Sequence, residues 1–119
     1  MAIILVVDDE VGIARLLEDV FVDDGHEVML ASNGRQALEL ALTTVPAIIL
    51  TDLMMPVMDG AELAAALAAE PRLAGVPLVM MSSMPEGVVV AKGAAFTAFV
   101  RKPFNIYALV DLANSLIVR

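Results

Sequence analysis

The chain is 119 residues long, one domain's worth, with 15 Asp and Glu against 7 Lys and Arg, 60% hydrophobic residues, one His, and neither Cys nor Trp. A formal charge of −8, with Lys confined to Lys92 and Lys102, argues against nucleic acid or an anionic membrane surface as a direct ligand, because phosphate contacts depend on clustered Lys and Arg. Without cysteine there is no disulfide framework, Cys-ligated zinc or thiol nucleophile, and the lone His26 cannot build a His-based metal site or a Ser-His triad.

The first element is a continuous apolar run, Ile3–Val7. It lacks a basic leading region and runs straight into Asp8-Asp9-Glu10, so it is not a signal peptide, and a cytoplasmic location is expected. Next, Ile13, Leu16, Leu17, Val20 and Phe21 fall at i, i+3, i+4, i+7 and i+8, the stripe of an amphipathic helix. Gly25 breaks that pattern before a second run, Val28–Ala31, and the Asn33-Gly34 turn leads into a helix marked by Ala37, Leu38 and Ala41. Pro46 precedes the third run, Ala47–Thr51, which ends on Asp52. Beyond Gly60, Ala61–Ala69 is a strong helix former with Leu63 and Leu67 at i, i+4.

Pro71 and Gly75-Val76-Pro77 mark the joint before the fourth run, Leu78–Met81. The following segment, Met84–Gly93, carries two Gly, a Pro and three successive Val, all poor in helix interiors, so a short or irregular helix is expected there. A fifth run, Ala98–Val100, then passes through Pro103 to the fullest amphipathic pattern: Ile106, Leu109, Val110, Ala113, Leu116 and Ile117. The longest uncharged stretches, Leu40–Thr51 and Leu73–Pro85, fall short of the 18 or so apolar residues needed to span a bilayer. Short apolar runs alternating with amphipathic segments describe five βα units and a parallel sheet buried on both faces.

In an open parallel sheet, ligands bind beyond the carboxyl ends of the strands, where strand order reverses. The residues at those ends are Asp8, Asp9 and Glu10 after the first run, Asp52 after the third, Ser82 and Ser83 after the fourth, and Arg101 and Lys102 after the fifth. Two carboxylates about 4 Å apart repel by about 4 kcal/mol at an effective dielectric of ~20, so converging carboxylates call for compensation. Lys102 can neutralise one charge. A hard divalent cation can neutralise two, and Mg²⁺ suits one or two carboxylates plus a phosphoryl oxygen. Taken singly, Asp8 and Asp9 read as caps of the first helix and Asp52 as the opening of a turn. Taken together at strand ends, they read as a site.

These motifs resemble those of the receiver domain of two-component response regulators. The resemblance rests on Asp8-Asp9-Glu10, on Asp52-Leu53-Met54-Met55-Pro56-Val57-Met58-Asp59-Gly60, on the hydroxyl of Ser82 and on Lys102-Pro103-Phe104, and it covers essentially the whole chain. It implies a doubly wound (βα)5, flavodoxin-like α/β fold with strand order 2-1-3-4-5 and helices on both faces, spanning residues 1–119 as a single receiver domain without an output domain. It further implies that Asp52 accepts a phosphoryl group from a sensor histidine kinase or histidine phosphotransfer protein. Mg²⁺ would be held by Asp9, Asp52 and the backbone carbonyl of Met54, with Asp8 acting through water. Lys102 and Ser82 would meet the phosphoryl oxygens, and Phe99 would be a switch aromatic coupled to Ser82. A downstream effector would dock on the face of the fourth helix, fifth strand and fifth helix, to a chain that is a monomer or weak dimer. The chain would be no enzyme beyond catalysing its own phosphorylation and dephosphorylation.

Several features depart from the family pattern. The span from Ser82 to Lys102 is short by a couple of residues, Ala95-Phe96 stands where a Gly-Ala pair is common, and Ser83 replaces a small apolar residue. Met55 and Met58 read as packing residues, and Arg101 as a solvated charge pointing away from Lys102. Met54 and Met84 overlook the line of water attack on the phosphoryl group in receivers; being apolar, they predict slow self-dephosphorylation. Other functions fit less well. A hydrolase of the haloacid dehalogenase type wants a second Asp two residues after the nucleophile, where this chain has Met54. Nucleotide or flavin binding wants a phosphate loop after the first strand, where this chain is acidic. A receiver-like scaffold that is never phosphorylated is the remaining alternative.

Overall fold

Each apolar run becomes a strand and each amphipathic segment a helix in a computed structural model of the chain, which describes residues 2–117. In chain order the elements are β1 Ile3–Val7, α1 Val11–Asp23, β2 Glu27–Ala31, α2 Gly34–Thr43, β3 Ile48–Asp52, α3 Gly60–Ala69, β4 Leu78–Ser82, α4 Glu86–Ala91, β5 Ala98–Arg101 and α5 Ile106–Leu116. Met1, at the head of the N-terminal segment, and the end of the chain at Arg119, where the C-terminal helix is expected to finish, lie outside the described residues.

The five strands form one parallel sheet in the order β2-β1-β3-β4-β5, the doubly wound topology expected. β1 sits at the reversal point, paired with β2 through Ile4–Val28 and with β3 through Ile4–Ile48. Because side chains alternate along a strand, each central strand feeds two cores. Leu5, Val7, Ile49 and Met80 join Ala37, Leu63, Leu67 and Val89 under α2, α3 and α4, whereas Ile4, Val6, Ile48, Leu50, Val79 and Met81 join Leu17, Phe21, Leu109 and Ala113 under α1 and α5. All five residues of β3 and all five of β4 are buried, which explains why these strands read as unbroken runs.

Local signals and packing agree at most helix ends. Asn33 caps α2 by accepting the Gln36 amide, and Asn105 caps α5 by accepting the amides of Tyr107 and Ala108. Asp59 and Glu62 form a reciprocal capping box on α3. α4 is six residues long, as its composition predicts, and of its side chains only Val89 is buried. One detail differs from the sequence reading: in α1 it is Ala14, not Leu16, that packs inward, and Leu16 is half exposed. The helix is rotated so that its small residue meets the sheet, which a hydrophobicity pattern alone does not weigh. Among the described residues, no helix is long and apolar enough to cross a membrane.

Candidate functional site

The carboxyl ends of β1, β3, β4 and β5 lie side by side on one edge of the sheet, and each delivers a polar group there. Asp8 follows β1, Asp52 ends β3, Ser82 ends β4 and Lys102 follows β5. Among the described residues, all of the buried polar or charged side chains but one belong to this edge: Asp8, Asp52 and Ser82, with Thr51 next to Asp52. Thr51 donates its hydroxyl to the Asp52 carbonyl at 2.9 Å.

The ammonium of Lys102 stands between the two buried carboxylates, with Nζ 3.1 Å from Asp8 Oδ2 and 3.3 Å from Asp52 Oδ2. Their other oxygens are held from the backbone: Asp8 Oδ1 accepts the Glu10 amide and Asp52 Oδ1 the Leu53 amide, each at 2.9 Å. Burial pushes the Asp52 carboxyl above its usual range; Lys102 opposes that rise and the Asp8 charge adds to it. For Lys102, burial pulls downward, but hydrogen bonding to Asp8 and the charges of Asp52 and Asp8 outweigh it, and the ammonium ends above its ordinary value.

The carboxylate oxygens of Asp8, Glu10 and Asp52 lie within 4.8 Å of one another. Lys102 is the cation they share, with its Nζ 3.9 Å from Glu10 Oε1. Three carboxylates against one ammonium leave an excess of negative charge, and an all-oxygen donor set of this kind could hold a hard divalent cation. Asp9 is exposed and stands outside this group. Neither spacing nor residue type distinguishes Asp9 from Glu10, which follow each other at the start of a helix; their directions are set only once β1 and α1 are placed.

Ser82 is buried, and its Oγ accepts the Met84 amide at 3.0 Å, while its carbonyl accepts the Lys102 amide at 2.8 Å. Ser83 is exposed, so of the two adjacent hydroxyls the one on the sheet edge is Ser82. Arg101 points away from Lys102 but is not simply solvated, since its Nε donates to the Ser83 carbonyl at 3.0 Å and ties β5 to the β4–α4 turn. Phe99 is half-buried against the α2, α3 and α4 side of the sheet, with its ring 5.7 Å from that of Phe96. Met54 is largely in solvent, and Met84, Met55 and Met58 pack at the margin of the same core.

Two glycines support the loop after Asp52. A Cβ on Gly60 would lie 2.5 Å from the Asp52 carbonyl oxygen, and one on Gly34 would lie 2.7 Å from the Met58 carbonyl oxygen. The Gly60 amide donates to Leu53 O and the Gly34 amide to Met58 O. The absence of a side chain is therefore what lets α2 and α3 press against the loop that carries the site. The sequence marks both as joints, and nothing in it shows that each is a close contact.

Comparison with known proteins is consistent with this geometry. A family model described as the response regulator receiver domain matches residues 4–114. The probable transcriptional regulator ycf27 of Porphyra purpurea is 38% identical over 118 residues, covering 98% of this chain and 47% of that protein. The DNA-binding response regulator MtrA of Mycobacterium tuberculosis is 35% identical over 109 residues, covering 90% of this chain and 46% of that protein. This chain thus spans about half the length of the curated relatives it matches. Among solved structures, the chemotaxis response regulator CheY4 of Vibrio cholerae superposes with a TM-score of 0.89 at 31% identity, covering 98% of each chain.

Proposed function

This chain belongs to the response regulator receiver domain family, and from that premise we propose that Asp52 is the residue that takes the phosphoryl group. The observation that carries the reading is the Lys102 ammonium seated between Asp52 and Asp8, with Ser82 at the end of the neighbouring strand. A carboxylate oxygen of Asp52 attacks phosphorus in a phosphohistidine of a kinase or phosphotransfer protein. The P–N bond breaks, the imidazole leaves and takes up a proton from water, and an acyl phosphate forms on Asp52. A small acyl phosphate can serve as donor in the same way, which makes the chain the catalyst of its own phosphorylation.

The carboxylates of Asp52 and Asp9 and the main-chain carbonyl of Met54 are the groups that would hold Mg²⁺, with Asp8 acting through water; Asp9, exposed and outside the carboxylate cluster, would turn inward to do so. When bound, the ion draws charge from the transferring phosphoryl oxygens. Lys102 exchanges its contact with Asp52 for one with a phosphoryl oxygen, and Ser82 releases the Met84 amide to donate its hydroxyl to another. Both shifts act on the β4–α4 turn and on β5. Phe99 on β5 then moves against Phe96, and the α4, β5 and α5 face changes for a downstream effector protein.

The test is the intact mass after incubation with Mg²⁺ and acetyl phosphate. Wild type should gain one phosphoryl group and Asp52→Ala none. An equal gain in the variant would place the acceptor elsewhere.

A further inference from the structure

The peptide group between Ser83 and Met84 is held at both ends. Its carbonyl accepts from Arg101 Nε at 3.0 Å, and its N–H donates to Ser82 Oγ, also at 3.0 Å. The two holds come from neighbouring strands, since Ser82 ends β4 and Arg101 ends β5 opposite it in the register. A peptide group is planar, so fixing its carbonyl fixes the direction of its N–H. Pro85 follows at once as the N-cap of α4, a helix with Val89 as its buried side chain, so packing does little to steady this turn. The contact also sets Arg101 apart from the other cations. Arg15, Arg35, Arg72 and Lys102 each pair with a carboxylate, whereas Arg101 reaches back to a main-chain carbonyl on the preceding strand's turn.

We propose that Arg101 is a positioning residue that restrains the switch: by orienting the Ser83–Met84 peptide it keeps that N–H on Ser82 Oγ, and so opposes the turn of the Ser82 hydroxyl toward a phosphoryl group. The inference rests on the receiver reading above and goes beyond it by giving the resting state a specific restraint. As long as Arg101 holds the carbonyl, the Met84 N–H stays aimed at the Ser82 oxygen. With the guanidinium released, the peptide plane is free to rotate, the bond between Met84 and Ser82 weakens, and the hydroxyl leaves it more easily. A single hydrogen bond of this kind shifts an equilibrium by a few-fold to about tenfold.

Two substitutions separate this bond from the charge. In Arg101→Gln the amide nitrogen stands as many bonds from Cα as Nε does and can donate to the Ser83 carbonyl, while in Arg101→Met a methyl group takes that place; both lose the charge alike. Beryllofluoride with Mg²⁺, titrated while amide resonances are followed, should bind about fivefold more tightly to Arg101→Met than to Arg101→Gln. Without beryllofluoride, the Met84 amide should exchange faster in Arg101→Met than in Arg101→Gln. On a Ser82→Ala background, where no hydroxyl is left to restrain, the two variants should bind beryllofluoride equally. Equal affinity or equal Met84 exchange with Ser82 present, or an affinity difference that survives in Ser82→Ala, would overturn the restraint. Wild type that binds no beryllofluoride would overturn the receiver reading instead, and the exchange of the Met84 amide would still decide whether Arg101 orients the peptide.

Discussion

At Asp52, reactivity and stability pull in opposite directions. Burial and the Asp8 charge both disfavour its ionised form, so the native protein holds a proton on Asp52 at pH values where the unfolded chain has lost it. The native state then binds more protons than the unfolded one, and stability falls as pH rises from about the ordinary carboxyl value through the raised one. At neutral pH the charged carboxylate is a net cost. Asp52→Asn, which keeps an oxygen for Lys102, should therefore raise Tm at neutral pH by roughly 4 °C, on the order of 1 kcal/mol. The gain should shrink as the pH is lowered into the carboxyl range; thermal melts across pH check both statements. Lys102 has a dependence of the same sign in a more alkaline window, with a contribution present below its ordinary value and lost as pH rises through its raised one.

The side chains two residues beyond Asp52 and two beyond Ser82 set a second expectation. Met54 is 57% exposed two residues beyond the acceptor, and Met84 lies two beyond Ser82. A thioether cannot orient an attacking water by strong hydrogen bonding, whereas an amide or a carboxylate can. Met54→Asn and Met84→Glu should each speed the loss of phosphate from the phosphorylated protein several-fold, and the double variant more. Phosphate release equal to wild type in all three would remove these residues from any control of lifetime. At this scale the sequence was most informative about residue type at strand ends. It was least informative about direction, as Asp9, exposed, and Glu10, among the carboxylates, demonstrate.

Among the elements, α4 is the weakest by composition and by packing. It has six residues, a single buried side chain in Val89, and exposed Val88 and Val90. Gly87 sits in its first turn with nothing within 4 Å of an added Cβ, so Gly87→Ala should strengthen the helix by about 0.5–1 kcal/mol without a clash. Amide exchange over residues 84–97 should slow in this variant. In wild type, the same residues should change their exchange when beryllofluoride occupies the phosphoryl position, because Ser82 and Arg101 both bind the turn that starts α4. Identical exchange with and without the mimic would separate α4 from the switch. Strands were legible because both faces are buried and the apolar runs are unbroken; α4 was legible as weak because Gly, Pro and Val oppose a helix interior. The inward turn of Ala14 over Leu16 was not legible, since it depends on how closely α1 approaches the sheet.

Across the whole molecule, the doubly wound order places β1 and β3 side by side at the reversal point, which brings residues 8, 10 and 52 together, while Lys102 reaches them from the end of β5, on the far side of β4. The fold class followed from runs and helices, and the strand order only from the family resemblance that the motifs carry. The close seating of Gly34 and Gly60 on the β3–α3 loop did not, because it is a property of the assembled layers. The central claim is that this assembly makes Asp52 a phosphoryl acceptor. The most direct measurement is to treat the protein with acetyl phosphate and Mg²⁺, reduce with borohydride, which converts an acyl phosphate to homoserine, and map the peptides. Homoserine at position 52 alone is the predicted result, and homoserine at Asp8 or Asp9, or at no position, would contradict it.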